Sequence, residues 1–330
     1  MKRETGQLAL FAEPPPPKSP YVQRNQARLR EWAEDGIYFG TSSWKYPGWQ
    51  GLVYNRPYRS QKAFEQTCIA EYAETFPTVC ADFALYDFPR AETMAQLAEA
   101  TPEHFKLSLK CTDRITMLQF PTLPRYGALA GKDNPDFLNL PLFGEQFLQP
   151  LEQLHGKVGA IIFEFSTFAK TSGMDVQHFA AAMDTFLAQL PKGLTYAVEV
   201  RNREFLTAEY LQVLENHQVA HVLNNWTRMP SIREQLQLAG TMAGPTSVIR
   251  ALLKPGRPYA EAVEKFQPYE RIQEELPDLR EGLVQSVERA VEEGRKLFSY
   301  VNNRAEGNAP LTIDAVLEKL EPIRGRRRKR

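Results

Sequence analysis

The chain has 330 residues, of which 43% are hydrophobic and 24% are charged, and 40 basic and 40 acidic side chains give it a formal net charge of zero. This composition is typical of folded globular proteins, and it excludes a largely disordered chain. No apolar run reaches the roughly 18 residues of a membrane-spanning helix and none fits a secretion signal, so we expect a cytoplasmic protein without a membrane partner.

The N-terminus carries a short apolar peptide followed by a proline-rich segment. Residues 12–20 include five prolines and predict an extended linker, because proline fits neither a helix interior nor a sheet ladder. The peptide ahead of this linker resembles the motif by which bacterial DNA enzymes dock on the replication sliding clamp, with candidate contacts at Gln7, Leu8, Leu10 and Phe11. The alternative is an apolar patch that folds onto the domain. We therefore expect residues 1–20 to form a flexible N-terminal extension.

From residue 21 onward, short β-rich runs alternate with amphipathic segments of helical length. The eight predicted strands are Ile37–Thr41, Thr78–Phe83, Phe105–Lys110, Ala160–Phe165, Tyr196–Arg201, Ala220–Asn224, Ser247–Ala251 and Leu297–Asn302. The predicted helices between them include Lys62–Phe76, Arg90–Ala100, Val176–Leu190, Ala208–His217 and Leu279–Arg295. This alternation predicts an α/β fold, a single β/α barrel of the TIM type over residues 21–323, with disordered N-terminal and C-terminal extensions. An open doubly wound sheet is the alternative.

Charged residues inside the predicted strands mark a candidate site. Lys110 ends the third strand, Glu164 interrupts the apolar fourth strand, and Glu199 shares one face of the fifth strand with Arg201. Such charges are costly unless they are paired or face a wet cavity, and the reacting groups of a β/α barrel lie at the C-terminal ends of its strands. The pattern predicts a cationic floor suited to phosphate or carboxylate, with a buried salt-bridge network as the alternative.

Histidine and cysteine give no support to a metal or thiol centre. None of the five histidines stands at the C-terminal end of a predicted strand, and the three cysteines lack the spacing of a disulfide framework or a thiolate metal site. We therefore predict no cofactor and no metal site. A divalent metal held by carboxylates alone is left open.

Three sequence motifs, in this order, resemble one known family. They are GTSSWKYPGW at residues 40–49, YAVEVR at residues 196–201 and YVNNRAEG at residues 300–307. From about residue 37 to residue 320 the chain is similar to the YecE-like family, also called domain of unknown function 72. The resemblance implies a β/α barrel of the type shared with sugar isomerases and the apurinic endonuclease IV class. It implies no particular reaction.

The resemblance also adds residues to the candidate site. By position it implies a ligand-binding set made of Trp44, Tyr46 and Trp49 after the first strand, Tyr86 after the second, and Asn302, Asn303 and Glu306 at the eighth. For Trp44, Tyr46 and Trp49, the alternative is that the rings only fill the opening of the barrel as a small additional core. Four positions where relatives usually carry ionisable groups differ here, which implies a weakened or changed acid–base activity: Cys80, Met117, Asn225 and Asn308.

The C-terminal end is strongly basic. Residues 324–330 carry six basic side chains and residues 1–30 carry six basic against two acidic, whereas the 293 residues between them carry 28 basic and 38 acidic side chains. A basic tail can bind phosphates non-specifically, so nucleic acid held through the termini is one expected partner. The alternative is that the basic tail is exposed to solvent and binds no partner.

These observations favour a DNA-associated barrel whose pocket binds a phosphate or a nucleotide and which is recruited through the clamp-type peptide. In this interpretation Lys110 and Arg201 hold phosphate, and Glu199 orients Arg201 or acts as a base. Glu164 and Glu199 also form a candidate acid–base pair, so the candidate catalytic set is Glu199, Lys110 and Glu164. The alternatives are a sugar or sugar-phosphate isomerase or hydrolase, and a non-catalytic interaction protein. A hydrolase or lyase activity on nucleic acid or a phosphorylated sugar is left open.

Overall fold

Eight parallel strands close into a barrel in the computed structural model, which describes residues 16–327 except 83, 84 and 86. The strands are β1 (Ile37–Thr41), β2 (Thr78–Ala81), β3 (Lys106–Lys110), β4 (Val158–Glu164), β5 (Thr195–Glu199), β6 (Ala220–Asn224), β7 (Thr246–Ala251) and β8 (Lys296–Val301). Each strand pairs with the next one in the chain, and β8 pairs with β1. The predicted β/α barrel is confirmed, and every predicted strand agrees with the structure to within two residues at each end.

Helices surround the barrel and connect its strands. They are α1 (Pro20–Glu34), α2 (Gln61–Thr75), α3 (Ala91–Ala100), α4 (Asp113–Thr116), α5 (Leu140–Leu142), α6 (Gln149–Leu151), α7 (Val176–Ala188), α8 (Ala208–Asn216), α9 (Ile232–Leu236), α10 (Tyr259–Phe266), α11 (Pro277–Glu292), α12 (Asn303–Glu306) and α13 (Ala309–Arg327). A π-helical turn, Phe143–Leu148, joins α5 to α6. No helix among residues 16–327, the three undescribed positions aside, is long and apolar enough to cross a membrane.

The first and last of these helices lie side by side and run in the same direction. Near their starts, the Tyr21 hydroxyl donates to the carbonyl of Pro310 at 3.1 Å, and one turn further Asn25 donates to Asp314 at 2.9 Å. Near their ends, Arg324 forms an ion pair with Glu31. The first part of the predicted basic tail therefore continues α13 as helix.

The interior of the barrel is mostly apolar toward the N-terminal ends of the strands and charged at their C-terminal ends, which are called here the top of the barrel. Its lower layers are filled by small and aromatic side chains that include Ala160, Ile162, Ala197, Val248 and Phe298. Because side chains on one face of a strand recur every two residues, the next inward positions fall at the C-terminal ends of the strands. These positions hold the charged residues that form the candidate site.

Candidate functional site

Five charged side chains meet at the C-terminal end of the barrel and are called here the mouth cluster: Lys110, Glu164, Glu199, Arg201 and Arg250. Adjacent strands place them together, since Glu164 lies opposite Glu199 in the register of β4 and β5. None of the five side chains is more than 11% exposed. Three cations against two carboxylates leave one buried positive charge in excess.

The two arginines of the mouth cluster bridge both carboxylates. Arg201 Nη2 lies 2.8 Å from Glu164 Oε1 and 3.1 Å from Glu199 Oε1. Arg250 Nη1 donates to Glu164 Oε2 at 2.5 Å and also to Glu199 Oε2. These contacts satisfy the carboxylates and fix both guanidinium groups, which makes the network well suited to position arginines for a ligand.

Lys110 is the least satisfied member of the mouth cluster. Its Nζ lies 3.6 Å from Glu164 Oε2, which is too far for a hydrogen bond, and it has no hydrogen-bond acceptor among the residues that the structure describes. Arg250 Nε is also buried without an acceptor in the described chain. The mouth cluster therefore keeps N–H donors that its own carboxylates do not use.

The residues that carry these donors, Lys110 and Arg250, line a cavity of about 320 Å³ at the top of the barrel. Its lining includes three acidic side chains, Asp82, Asp113 and Glu164, and five cationic ones, Lys110, Arg125, Arg201, Arg250 and Arg304. Ser42 also lines the cavity, and its hydroxyl is buried without a partner in the part of the chain described. A cavity of this size accommodates a sugar phosphate or part of a nucleotide.

An aromatic wall forms one side of the cavity. The guanidinium of Arg201 lies over the ring of Trp226, 3.8 Å from its centroid, and that of Arg304 lies over Tyr259 at 4.5 Å. The two rings are 6.3 Å apart. Stacking of this kind restrains the plane of a guanidinium and leaves its N–H edge available to an anion.

The mouth cluster keeps Glu164 ionised. Burial by itself would raise the pKa of Glu164, but Arg201, Lys110 and Arg250 outweigh burial and hold this pKa below its ordinary value. Glu164 is therefore a carboxylate at neutral pH and is not a proton donor there. In the predicted acid–base pair of Glu164 and Glu199, Glu164 therefore suits the role of the ionised carboxylate and not that of the acid.

Asp113 is the carboxyl group in the cavity whose pKa moves the other way. It is the first residue of α4, it is buried, and it accepts a hydrogen bond from the Tyr126 hydroxyl through Oδ2. Its Oδ1 has no partner among the described residues. Burial raises the pKa of Asp113, although the Tyr126 hydrogen bond acts against this change. Asp113 is thus the better candidate for moving a proton in this cavity.

The aromatic residues predicted after β1 lie in the core and do not line the cavity. Trp49 is fully buried and stacks against Tyr54 and Tyr72 at centroid distances of 6.3 and 6.5 Å. Tyr46 packs on Trp49 at 4.8 Å, and Trp44 is only 5% exposed. The loop that carries Trp44, Tyr46 and Trp49 therefore corresponds to the alternative in which the rings form part of the core.

A close backbone approach explains this inward packing. A Cβ atom added to Gly48 would lie 2.0 Å from the carbonyl oxygen of Pro268, so only glycine fits there. The contact holds the short helical turn Pro47–Trp49 against the loop after α10 and directs Trp49 into the core.

The predicted residues after β8 have different environments. Asn302 lines the cavity, and its side chain caps α12 by accepting from the Arg304 backbone N–H at 2.9 Å. Asn303 is buried and accepts from the Ala309 N–H at 2.8 Å. Glu306 is fully buried away from the cavity, where Arg280 binds it at 3.0 Å. Only Asn302 of these predicted residues is placed to meet a ligand in the cavity.

Several predicted site residues are ones that the structure does not describe. Tyr86 lies outside the described residues, and so does the clamp-type peptide with Gln7, Leu8, Leu10 and Phe11. Clamp docking therefore stays a prediction. Among residues 16–327, apart from 83, 84 and 86, no group of three or more histidine, cysteine, aspartate or glutamate side chains is arranged to hold a metal ion.

The residues that replace ionisable groups of relatives are accommodated by the fold. Asn225 accepts from the Leu252 N–H at 2.6 Å and so braces the end of β7. Asn308 donates to the Tyr269 carbonyl at 2.9 Å. Burial raises the pKa of Cys80 to about 11, so this thiol is not a nucleophile at neutral pH, and Met117 lines the cavity.

The cavity residues that sequence reasoning missed include Asp113, Trp226, Arg250, Tyr259 and Arg304. A signal for Arg250 was present, because it interrupts the apolar strand run SVIRA as Glu164 interrupts IIFEF. Arg304 stands inside the YVNNRAEG motif itself. The two aromatic residues lie outside the strands and carry no comparable signal.

Comparison with known proteins identifies the family and supports the fold. The model of the family described as protein of unknown function DUF72 matches residues 38–329. A DUF72 protein of Enterococcus faecalis V583 is similar in structure, with a TM-score of 0.58 and 17% sequence identity over 86% of this chain and 95% of that one. A DUF72 protein of Thermotoga maritima MSB8 gives a TM-score of 0.53 and 16% identity over 86% of this chain and 98% of that one.

At these identities the two solved structures show a shared fold alone. A search of curated proteins finds no match. The family match extends from β1 through α13 and contains the three motifs and the whole mouth cluster. The chain therefore belongs to the DUF72 family.

Proposed function

We propose that this protein binds a phosphorylated small molecule, a sugar phosphate or a nucleotide, in the cavity above the mouth cluster. The observation that carries the proposal is the excess buried positive charge, with Lys110 Nζ lacking a hydrogen-bond acceptor in the described chain. A buried charge whose N–H groups lack acceptors is unfavourable, so an anion that enters the cavity gains more from these donors than it would from donors on the surface.

Phosphate suits the arrangement because residues with unused donors line the cavity from several different strands. Lys110 supplies an ammonium group, Arg250 has an unused Nε–H, and Ser42 adds an unpartnered hydroxyl. A flat carboxylate presents two oxygens, whereas a phosphate presents three terminal oxygens around a tetrahedral centre. Three donors on different strands or strand ends therefore favour phosphate over carboxylate.

The small volume of the cavity favours a free ligand over a nucleic-acid strand. A nucleotide at the end of a DNA strand would offer the same phosphate, and DNA association through the basic termini stays a separate prediction. The cavity of about 320 Å³ has the size of a phosphorylated sugar and is small for a nucleic-acid strand. Sugar phosphates are therefore the first ligands to test, with nucleotides and a short oligonucleotide beside them.

The test is calorimetric titration of the full chain in a low-salt buffer free of phosphate. The probes are inorganic phosphate, fructose 6-phosphate, adenosine monophosphate and a ten-nucleotide single strand with a 5′-phosphate. We expect binding of the phosphorylated small molecules, weakened at least about tenfold by Lys110→Met, because the variant removes one charged donor from a desolvated site.

Lys106→Met is the matched control, because Lys106 lies on the same strand at its opposite end and donates to the Gly156 carbonyl at 2.8 Å. It should bind phosphorylated ligands as the unmodified chain does. Absence of binding by all three small probes at millimolar concentration, or equal weakening by the two lysine variants, would overturn the proposal. Binding of the oligonucleotide without any of the small probes would favour the nucleic-acid interpretation instead.

A further inference from the structure

Arg304 differs from the arginines of the mouth cluster in having no acidic partner. It lies in α12, directly after β8, and its side chain lines the same cavity. Arg201 and Arg250 each contact two carboxylates, whereas Arg304 has no ion pair among the residues described. Its guanidinium charge is therefore available to an anion in the cavity.

The position of Arg304 is set by two local contacts. The Asn302 side chain accepts from the Arg304 backbone N–H at 2.9 Å and fixes the start of α12. The ring of Tyr259 lies against the guanidinium, with 4.5 Å between the guanidinium carbon and the ring centroid. A guanidinium held flat on a ring loses little freedom when it binds an oxyanion through its edge.

Arg304 and the mouth cluster contact different rings of the aromatic wall. Arg201 lies over Trp226, Trp226 is next to Tyr259, and Tyr259 lies under Arg304. The two arginines thus each lie against one ring of an adjacent pair. A sugar that packs on this pair of rings would place one phosphate group near Arg201 and a second one near Arg304.

We infer that the cavity takes a sugar that carries two phosphate groups, one bound by the mouth cluster and the other by Arg304. The inference rests on the proposed function, since it assumes that the mouth cluster binds the first phosphate. The sugar would pack against Trp226 and Tyr259, whose faces offer an amphipathic surface. Binding of the first phosphate then presents the second one to Arg304 at a high effective concentration.

The experiment compares fructose 6-phosphate, fructose 1,6-bisphosphate and pyrophosphate by calorimetric titration of the full chain. A second sugar pair, ribulose 5-phosphate and ribulose 1,5-bisphosphate, guards against a wrong choice of sugar. We expect at least one bisphosphate to bind about tenfold or more tightly than its monophosphate, as expected for a second linked contact. Pyrophosphate should show no such gain over inorganic phosphate, because it has no sugar to pack on the two rings and hold its phosphates apart.

The diagnostic variant is Arg304→Gln, with Arg30→Gln as the matched control. Arg30 is an exposed arginine of α1 that pairs only loosely with Glu34, at 3.9 Å. We expect Arg304→Gln to reduce bisphosphate affinity to that of the monophosphate and to leave monophosphate affinity within about twofold, since it removes only the second contact. Arg30→Gln should change neither affinity.

The outcomes separate the inference from the proposed function. If monophosphates bind through Lys110 but no bisphosphate binds more tightly, the inference is overturned and the proposed function stands. Equal weakening of monophosphate and bisphosphate by Arg304→Gln also overturns it, because Arg304 would then belong to the first phosphate site. Absence of binding by every phosphorylated probe overturns both.

Discussion

Two buried ion-pair groups follow the strands of this barrel, and they differ in charge balance and in access to the cavity. In the mouth cluster three cations face two carboxylates, and donors remain unused. Glu306 instead pairs with the single buried partner Arg280. Neither residue of this second pair lines the cavity.

Glu306 is saturated by its neighbours. Its Oε1 accepts from the Leu276 N–H at 2.5 Å and from Arg280 at 3.0 Å, and its Oε2 accepts from the Thr312 hydroxyl at 2.8 Å. These contacts tie α11, α12 and α13 together and leave Glu306 no lone pair for a ligand. Both Glu306 and Glu199 were expected to be site residues, but only the group around Glu199 has an excess of positive charge and members that line the cavity.

The largest expected effect is at Arg250. Arg250→Met removes the donor that Glu164 and Glu199 share and leaves two adjacent buried carboxylates with Arg201 and a distant lysine. We expect the free energy of unfolding to fall by about 3–5 kcal/mol, as for other broken buried ion pairs. Urea denaturation measures the change. A loss below about 1 kcal/mol, no larger than that of an exposed pair, would contradict the buried network.

An intermediate effect is expected at Glu306. Glu306→Gln keeps the shape of the side chain but weakens its charged hydrogen bonds, so the free energy of unfolding should fall by about 1.5–3 kcal/mol. Phosphate affinity should not change, because Glu306 lies away from the cavity. Denaturation and calorimetric titration of one preparation test both statements. If Glu306→Gln leaves stability unchanged and weakens phosphate binding tenfold, Glu306 serves the ligand site and not the fold, which contradicts this prediction.

A smaller effect with a defined pH dependence is expected at Asp113. Burial raises its pKa in the folded protein, so the ionised form destabilises the fold at neutral pH. Asp113→Asn imitates the neutral form and should raise the free energy of unfolding at pH 7 by on the order of 1 kcal/mol. The gain should disappear as the pH falls toward the ordinary aspartate value of 3.8, where the unmodified residue is also protonated. Lower stability of the variant at pH 7 would contradict this assignment.

The smallest expected effect on stability is at Lys110. Lys110→Met leaves two arginines and two carboxylates, so the mouth cluster becomes electrically balanced. We expect the free energy of unfolding to change by less than about 1 kcal/mol. The variant loses the attraction between Lys110 and Glu164, but it also removes the desolvation cost of the buried ammonium group. Thermal and urea unfolding check this value. A loss of several kcal/mol would mean that Lys110 serves the fold rather than a ligand.

The fold was largely predictable because parallel strands buried on both faces appear as short apolar runs between amphipathic helices. The same local pattern located Lys110, Glu164, Glu199 and Arg201, since a charge in an apolar strand stands out. Arg250 carried that signal but was overlooked.

The aromatic part of the site was not predictable, because a tryptophan suits a binding surface and a core equally well. Trp49 packs inward through the contact of Gly48 with Pro268, and Trp226 meets Arg201 only after the barrel closes. Neither contact is encoded in the neighbouring sequence. Asp113 was missed for a related reason, because its burial depends on Tyr126 from a later loop.

The parallel course of α1 and α13 determines where the two ends of the chain can act. Ser19, just before α1, donates to the Leu52 carbonyl in the loop that follows β1, on the side of the cavity. α13 begins on that same side and runs for 19 residues, about 28 Å at 1.5 Å per residue, before the described chain ends. The described chain thus begins on the side of the cavity and ends at the opposite pole of the barrel. An anionic surface bound at the end of α13 would therefore leave the cavity open.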